Sequence, residues 1–238
     1  MKTKLPALLT LAVVLLTGCV RSISDSGYAQ DRGWNRGYNP GYKGELSEFD
    51  VLGLQRGTNV TDAQIASALD GAQRVHLRKG ATVMLIQSGA YLPDEPMRTE
   101  FGKYFNVIPF GGQPAESSGG SYAGSLRLAA ARAGCETLVC YWGTLESAHE
   151  AYGTKMVSWV PVVGGVVPDE KQHMRIRLKV ALVDVRSGSW TIFSPEPRSD
   201  ASASGRYYRE ESDQRQVEKL KQLAYNGAAE DVVKIYAN

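Results

Sequence analysis

Three histidines are the first residues of this chain to consider for metal or hydrolytic chemistry. His149 and Glu150 begin as the zinc-peptidase pattern H-E-x-x-H does, but Gly153 occupies the place of the second histidine. His76, His149 and His173 are far apart in the sequence, whereas a metallo-aminopeptidase needs several ligands that converge on one metal. We therefore interpret His149 as an exposed loop residue and predict no metal site.

The glycine-rich segment "GGSYAG", residues 119–124, is the second candidate for chemistry. Its serine stands one place too early for the nucleophile motif G-x-S-x-G. A loop between a strand and a helix could also bind phosphate through backbone N–H groups, but this one lacks the G-K-[ST] ending of a P-loop. We interpret the segment as a connector, so the sequence predicts no catalytic residue and no cofactor.

Cys135 and Cys140 are the two cysteines of the folded part of the chain. Residues 137–141 have the pattern of a strand, and five extended residues separate two α-carbons by about 16 Å. A disulfide requires α-carbons closer than about 7 Å. We therefore predict two free thiols, with Cys140 as a small core residue.

Cys19 lies in a different setting, at the end of an export signal. Lys2 and Lys4 precede the apolar run "LPALLTLAVVLL", which is shorter than the roughly 20 residues that a membrane-spanning helix needs. Residues 16–19, "LTGC", then resemble the bacterial lipobox, in which the cysteine thiol receives a diacylglycerol, the signal is cut before it, and the freed amine is acylated.

The lipobox resemblance implies a signal peptide at 1–18 and a lipid anchor with acyl chains such as palmitate on Cys19. The alternative is an ordinary secretory signal with an incidental cysteine. Val20 stands where an inner-membrane retention signal would place Asp. By resemblance to that sorting rule, we expect the chain to be lipid-anchored in the outer membrane of a Gram-negative cell, facing the periplasm.

The charge of the mature chain limits its partners. Loss of residues 1–18 removes Lys2 and Lys4, which leaves 25 basic and 25 acidic residues. A neutral chain argues against nucleic acid, whose phosphates require a basic surface. It also argues against adhesion to anionic lipid by charge alone, so membrane contact must come from the acyl chains.

Residues 19–48 are predicted to be a lipidated flexible tether. From Val20 to Glu48 the chain is rich in glycine and mixed charge without sustained periodicity, which is typical of disorder. Four glycine-aromatic dipeptides recur there, at 27–28, 33–34, 37–38 and 41–42. Their rings could stack on sugars or on a partner protein, or the segment could be a low-complexity tether only.

Residues 49–238 are predicted to form a single periplasmic α/β domain. Strands are expected at 49–54, 81–89, 106–110 and 137–143, with capped or amphipathic helices from Thr61, from Asp94 and around Leu126. This alternation predicts right-handed crossovers and a parallel βαβ core in a three-layer arrangement.

The second half of the domain has the pattern of antiparallel hairpins. Residues 173–185 alternate strictly, Ser187 and Gly188 form a turn, and "SWTIF" returns. "KMVSWVPVV" is expected to be another strand beside them. A long helix from about Asp213 is predicted to bury the following apolar stripe: Val217, Leu220, Ala224, Ala228, Val232 and Ile235. The fold class is therefore α/β with a mixed sheet and a long C-terminal helix.

A second resemblance rests on "AAARAGCETLVCYWG" followed by "VALVDVRSGSW". Together with the lipobox, these segments resemble the envelope lipoproteins built on the CsgG and TolB N-terminal type of domain, over about residues 80–193. That resemblance implies a module that binds or assembles envelope partners. Short lipoproteins of similar layout also carry an aminopeptidase label, which leaves a periplasmic hydrolase as the alternative function.

The most apolar stretch outside the signal is residues 156–170, in which Val157 to Pro168 contain no charge. One interpretation is a buried strand and its turn. The other is a loop that docks on an envelope partner, a second copy of the chain, or the membrane, because an exposed apolar patch usually marks such a site. The candidate contact residues are Trp159, Val162, Gly164, Gly165 and Val166.

Overall fold

The computed structural model describes residues 21–29, 42–54, 59–114, 122–149, 158–161, 172–202 and 209–237. The strands in these residues are β1 (Arg21–Ser22), β2 (Thr82–Gln87), β3 (Asn106–Phe110), β4 (Thr137–His149), β5 (Ser158–Pro161), β6 (Gln172–Asp184), β7 (Trp190–Phe193) and β8 (Arg198–Ser202). The helices are α1 (Glu48–Leu52), α2 (Asp62–Asp70), α3 (Glu95–Gly102), α4 (Tyr122–Arg132) and α5 (Arg209–Tyr236).

The described strands form one mixed sheet with the central order β3-β2-β4-β6-β7. Strand β2 pairs in parallel with both β3 and β4, which makes the βαβ core. Strand β6 is antiparallel to β4 along the whole length of both, and β7 returns beside β6. The predicted α/β class, with a parallel core, antiparallel hairpin strands and a long C-terminal helix, is confirmed.

Helices cover both faces of the sheet. On one face, α3 and α5 pack over a core that includes Phe101, Tyr141 and Tyr225. On the other face, α1 and α4 pack over a second core that includes Leu126 and Cys140. Strand β2 and the part of β4 that pairs with it are therefore buried on both sides, as their continuous apolar sequences predict, whereas the edge strand β3 is partly exposed.

Strand β6 shows why the alternating pattern was informative. Its predicted inward residues, Met174, Ile176, Leu178, Val180 and Leu182, are all buried. Helix α5 begins at Arg209, before the predicted start, and its apolar stripe is buried except for Ile235, which is 57% exposed. In the last turn, Val233 and Tyr236 pack against the core instead.

Two predicted elements differ from the structure. Residues 49–54 were expected to be a strand, but α1 forms there because Ser47 and Asp50 make a reciprocal capping box and Gly53 ends the helix in the left-handed conformation. A short apolar run is compatible with both the helical and the strand periodicity, so here the capping residues determine that a helix forms. A strand was also expected at 155–163 beside the hairpin of β6 and β7. Strand β5 does form within these residues, but it pairs with β4, which lies between β5 and β6.

Candidate functional site

The structure gives the predicted histidines no shared site. His149 ends β4 opposite Gln172, so its assignment to a loop is wrong, and Gly153 lies outside the described residues. His76 precedes β2, and His173 is half-buried on β6. In the part of the chain that the structure describes, no three His, Cys, Asp or Glu side chains cluster to hold a metal.

Both cysteines in the domain are free thiols, as predicted, and both are buried. Cys140 is a core residue on β4, and Cys135 packs just before that strand. Burial raises the pKa of both thiols. Neither therefore has the thiolate character of a reactive cysteine.

The main polar feature of the core is a buried ion pair between α3 and α5. The ammonium of Lys221 lies 2.7 Å from Oδ2 of Asp94, and the two side chains are only 7% and 3% exposed. The hydroxyl of Tyr225 donates to the same oxygen at 2.6 Å. Asp94 stands immediately before α3, which the sequence predicted, but its side chain bonds to α5 rather than capping α3.

The network continues into the sheet through Gln87, the last residue of β2. Its Oε1 accepts from the backbone N–H of Asp94 at 2.8 Å and from the hydroxyl of Tyr141. Its Nε2 donates to Oγ of Ser24 at 3.0 Å. Ser24 in turn donates to the backbone oxygen of Ser88 at 2.6 Å. The polar groups thus join the N-terminal segment, β2, β4, α3 and α5.

Protonation in this network is set by burial. Burial raises the pKa of Tyr141 and that of Tyr225 well above the usual range, and the nearby Asp94 carboxylate raises both further. Both tyrosines therefore remain hydroxyl donors at neutral pH. The carboxylate of Asp94 already faces Lys221 and Tyr225, so the groups are satisfied within the fold. This arrangement is typical of a structural network.

A cavity of about 630 Å³ opens beside the ion pair. Its lining includes Tyr28, Glu95, Glu218 and Lys221. Glu95 pairs with Arg98, and Glu218 accepts from Gln214 at 2.5 Å. The acidic groups of the cavity therefore already have contacts within the domain.

The N-terminal segment packs against the domain, which corrects the predicted tether. Strand β1 pairs antiparallel with β4, and Ile23 is buried in the core beside it. Further on, the backbone N–H of Leu46 donates to Oγ of Ser88 at 2.8 Å, and Leu46 is buried. Disorder is thus the wrong prediction for residues 21–29 and 42–48, while Cys19 and residues 30–41 lie outside the described residues.

A buried carboxyl lies under this segment. Burial raises the pKa of Glu45, although hydroxyl groups of Ser22, Ser88 and Tyr42 act in the opposite direction. Burial and the Glu45 carboxylate together raise the pKa of Tyr42 to about 12. Both groups resist ionisation in the folded chain, so they contribute to pH dependence of stability.

The apolar segment predicted as a docking loop is only partly described. Trp159 belongs to β5, where it pairs with Ala148 of β4. Val162, Gly164, Gly165 and Val166 lie outside the described residues. The backbone of β5 shows a strand in the first part of this segment.

Helix α2 is a candidate surface that the sequence analysis did not single out. All of its residues are exposed, including Ile65 at 49% and Leu69 at 71%. These two side chains are four residues apart and so share one face of the helix. The sequence predicted the position and the cap of this helix correctly. It gave only a weak indication of an apolar surface, because the helix contains just two large apolar residues. An apolar helix face open to solvent is the kind of surface that docks in a groove of another protein.

Comparisons with known proteins support an envelope protein. The sequence profile described as "YafT bacterial lipoprotein" matches residues 47–235. A search of curated proteins found no match. None of the described helices is both long and apolar enough to cross a membrane.

Two solved structures are similar. The hypothetical protein CT253 from Chlamydia trachomatis is 13% identical with a TM-score of 0.33, and the match covers 66% of this chain and 97% of that one. A putative neuraminyllactose-binding hemagglutinin homolog from Helicobacter pylori is 10% identical with a TM-score of 0.29, covering 76% and 92%. At these TM-scores neither match supports an argument about function.

Proposed function

Because the chain belongs to the YafT family of bacterial lipoproteins, we propose that it is a periplasmic binding or assembly module, held in the outer membrane by a lipid on Cys19. The lipobox supports the anchor, and Val20 supports the outer-membrane location. The resemblance of residues 80–193 to the CsgG and TolB N-terminal type of domain belongs to the same proposal. The partner in this proposal is another protein of the cell envelope.

The observation that carries the binding role is the exposed face of α2. Ile65 and Leu69 present two large apolar side chains to solvent from a helix with a complete capping box at Thr61 and Gln64. The capping box satisfies N–H groups at the start of the helix without any core contact, so it favours the helical conformation that presents this face to a partner. The buried Asp94 network, by contrast, serves the fold and supports no hydrolytic role for these groups.

The anchor is tested with radiolabelled palmitate. Wild-type chain should incorporate the label and fractionate with the outer membrane, whereas Cys19→Ser should keep its signal and incorporate none. Val20→Asp should retain the label and move to the inner membrane. Normal processing and membrane retention of Cys19→Ser would contradict the anchor.

The binding role is tested by crosslinking in living cells. The double variant Ile65→Asp with Leu69→Asp should lose a recurrent crosslink to an envelope protein, with its free energy of unfolding within about 0.5 kcal/mol of wild type. Leu128→Asp is the matched control, because Leu128 is also an exposed leucine on a helix, α4. An unchanged crosslink in the α2 variant would contradict this surface. Metal-dependent release of amino acids from peptides by the pure protein would instead favour the hydrolase.

A further inference from the structure

Strands β1 and β5 lie end to end along one edge of β4. Arg21 pairs with Leu145, and Pro161 pairs with the next residue of β4, Glu146. The two strands are thus one residue step apart, about 3.4 Å along the strand direction. Pro161 occupies the register position that would follow Arg21 toward the N-terminus.

Strand β1 is held firmly at this place. The backbone N–H of Ile23 donates to the backbone oxygen of Gly143 at 2.9 Å. The Ile23 side chain is buried against Gly143, and Ser24 connects to Gln87 and Ser88. A buried side chain and two side-chain hydrogen bonds fix the segment that directly follows the lipidation site.

The link from this fixed strand to the membrane anchor is short. Cys19 precedes Arg21 by two residues, so their α-carbons are no more than about 7.6 Å apart. A lipid on Cys19 therefore enters the membrane on the order of 10 Å from Pro161. That distance leaves no room for a long flexible tether.

We infer that the β1–β5 end of the sheet lies on the phospholipid surface into which the acyl chains of Cys19 insert. This inference rests on the lipidation of Cys19 in the proposed function and names the bilayer as the occupant of this end. The lipid fixes the orientation as well as the location of the domain, because its attachment point is two residues from a core strand. Helix α2 remains the surface for a protein partner.

Two variants, each with one introduced cysteine that carries a fluorophore, measure this orientation. Ser199 is exposed on β8, opposite Arg175, near the β1–β5 end. Lys79 is exposed before β2, near the other end of β4, and the two ends are separated by about 30 Å of strand. The native thiols Cys135 and Cys140 are buried, so a fluorophore on Ser199→Cys or Lys79→Cys reports one position.

The lipidated protein is reconstituted in vesicles of phosphatidylethanolamine and phosphatidylglycerol that contain headgroup-nitroxide phospholipid. Quenching should be several-fold stronger for the Ser199→Cys label than for the Lys79→Cys label. Equal, weak quenching in protein that carries palmitate would overturn this inference and leave the proposed anchor intact. Absence of palmitate from the protein would overturn both this inference and the proposed anchor. Disulfide-linked dimers through Ser199→Cys without lipid quenching would show a second copy there and would also overturn it.

A longer link provides the matched control. Insertion of twelve Gly and Ser residues between Val20 and Arg21 leaves the lipobox and β1 unchanged. Quenching at Ser199→Cys should then fall to the level at Lys79→Cys, while palmitate incorporation stays the same. Undiminished quenching after the insertion would contradict the conclusion that the short link positions the domain.

Discussion

Ile23 packs against Gly143 so closely that a β-carbon on the glycine would lie 2.5 Å from Cδ1 of Ile23. This contact lies where β1 meets β4, and the backbones of the same two residues are hydrogen-bonded. The glycine therefore makes the space in which the N-terminal segment enters the core.

Gly143→Ala should lower the free energy of unfolding by about 1–3 kcal/mol, because the added methyl group forces Ile23 out of a well-packed site. Chemical denaturation of the lipidated protein in detergent measures the change. Gly102→Ala is the control, since a β-carbon there meets nothing within 4 Å and alanine suits a helix. Equal stability of both variants would mean that the β1 segment is not packed as described.

The sequence predicted β6 and α2 because their patterns are local. The alternation of Met174, Ile176 and Leu178 identifies β6, and Thr61 with Gln64 identifies the start of α2. The packing of Ile23 has no such signal. It is an isolated apolar residue in a polar, glycine-containing segment, and its burial depends on Gly143, which is distant in the sequence.

The polar network was equally hidden from the sequence. Lys221 and Lys219 are two residues apart on α5, yet one is buried against Asp94 and the other is exposed beside Asp200. No local pattern distinguishes them, because the difference arises from the position of α3 across the helix. Long-range contacts of this kind decide which titratable residues become structural.

Lys221→Met should destabilise the protein by about 3–5 kcal/mol, because it leaves the Asp94 carboxylate buried without its cation. Lys219→Met is the matched control on the same helix. Its ammonium is exposed and 3.2 Å from Asp200, so its loss should change stability by no more than about 1 kcal/mol. Urea denaturation of both variants tests the difference, and similar values would contradict a buried pair.

The buried carboxyl of Glu45 should give the protein a distinctive pH dependence. Its pKa is raised in the folded state, so the folded chain binds more protons than the unfolded chain between the ordinary and the raised value. This contribution to stability is present below the ordinary glutamate pKa and is lost as pH rises through the raised one. Glu45→Gln should remove it, which makes stability less dependent on pH in that window.

The pKa of Glu100 is shifted in the opposite direction, so Glu100 provides a comparison for the pH dependence of stability. Burial raises its pKa, but hydrogen bonds from Asn226, Lys103 and Gln222 outweigh burial, so the net shift is downward. Its stabilisation is therefore present above the ordinary glutamate pKa and lost as pH falls through the lowered value. Denaturation of Glu45→Gln and Glu100→Gln across pH 3–7 should show slope changes of opposite sign. Slope changes of the same sign would contradict the described environments.

Val162→Asp and Val166→Asp separate the two interpretations of the apolar segment. If the segment contacts lipid, each variant should keep its melting temperature in detergent and weaken nitroxide quenching of the Ser199→Cys label in vesicles, because a carboxylate is costly to place in the hydrocarbon and is repelled by anionic headgroups. Val162→Thr and Val166→Thr are controls of similar volume without charge. A loss of several kcal/mol in both aspartate variants would instead show that these valines belong to the protein core.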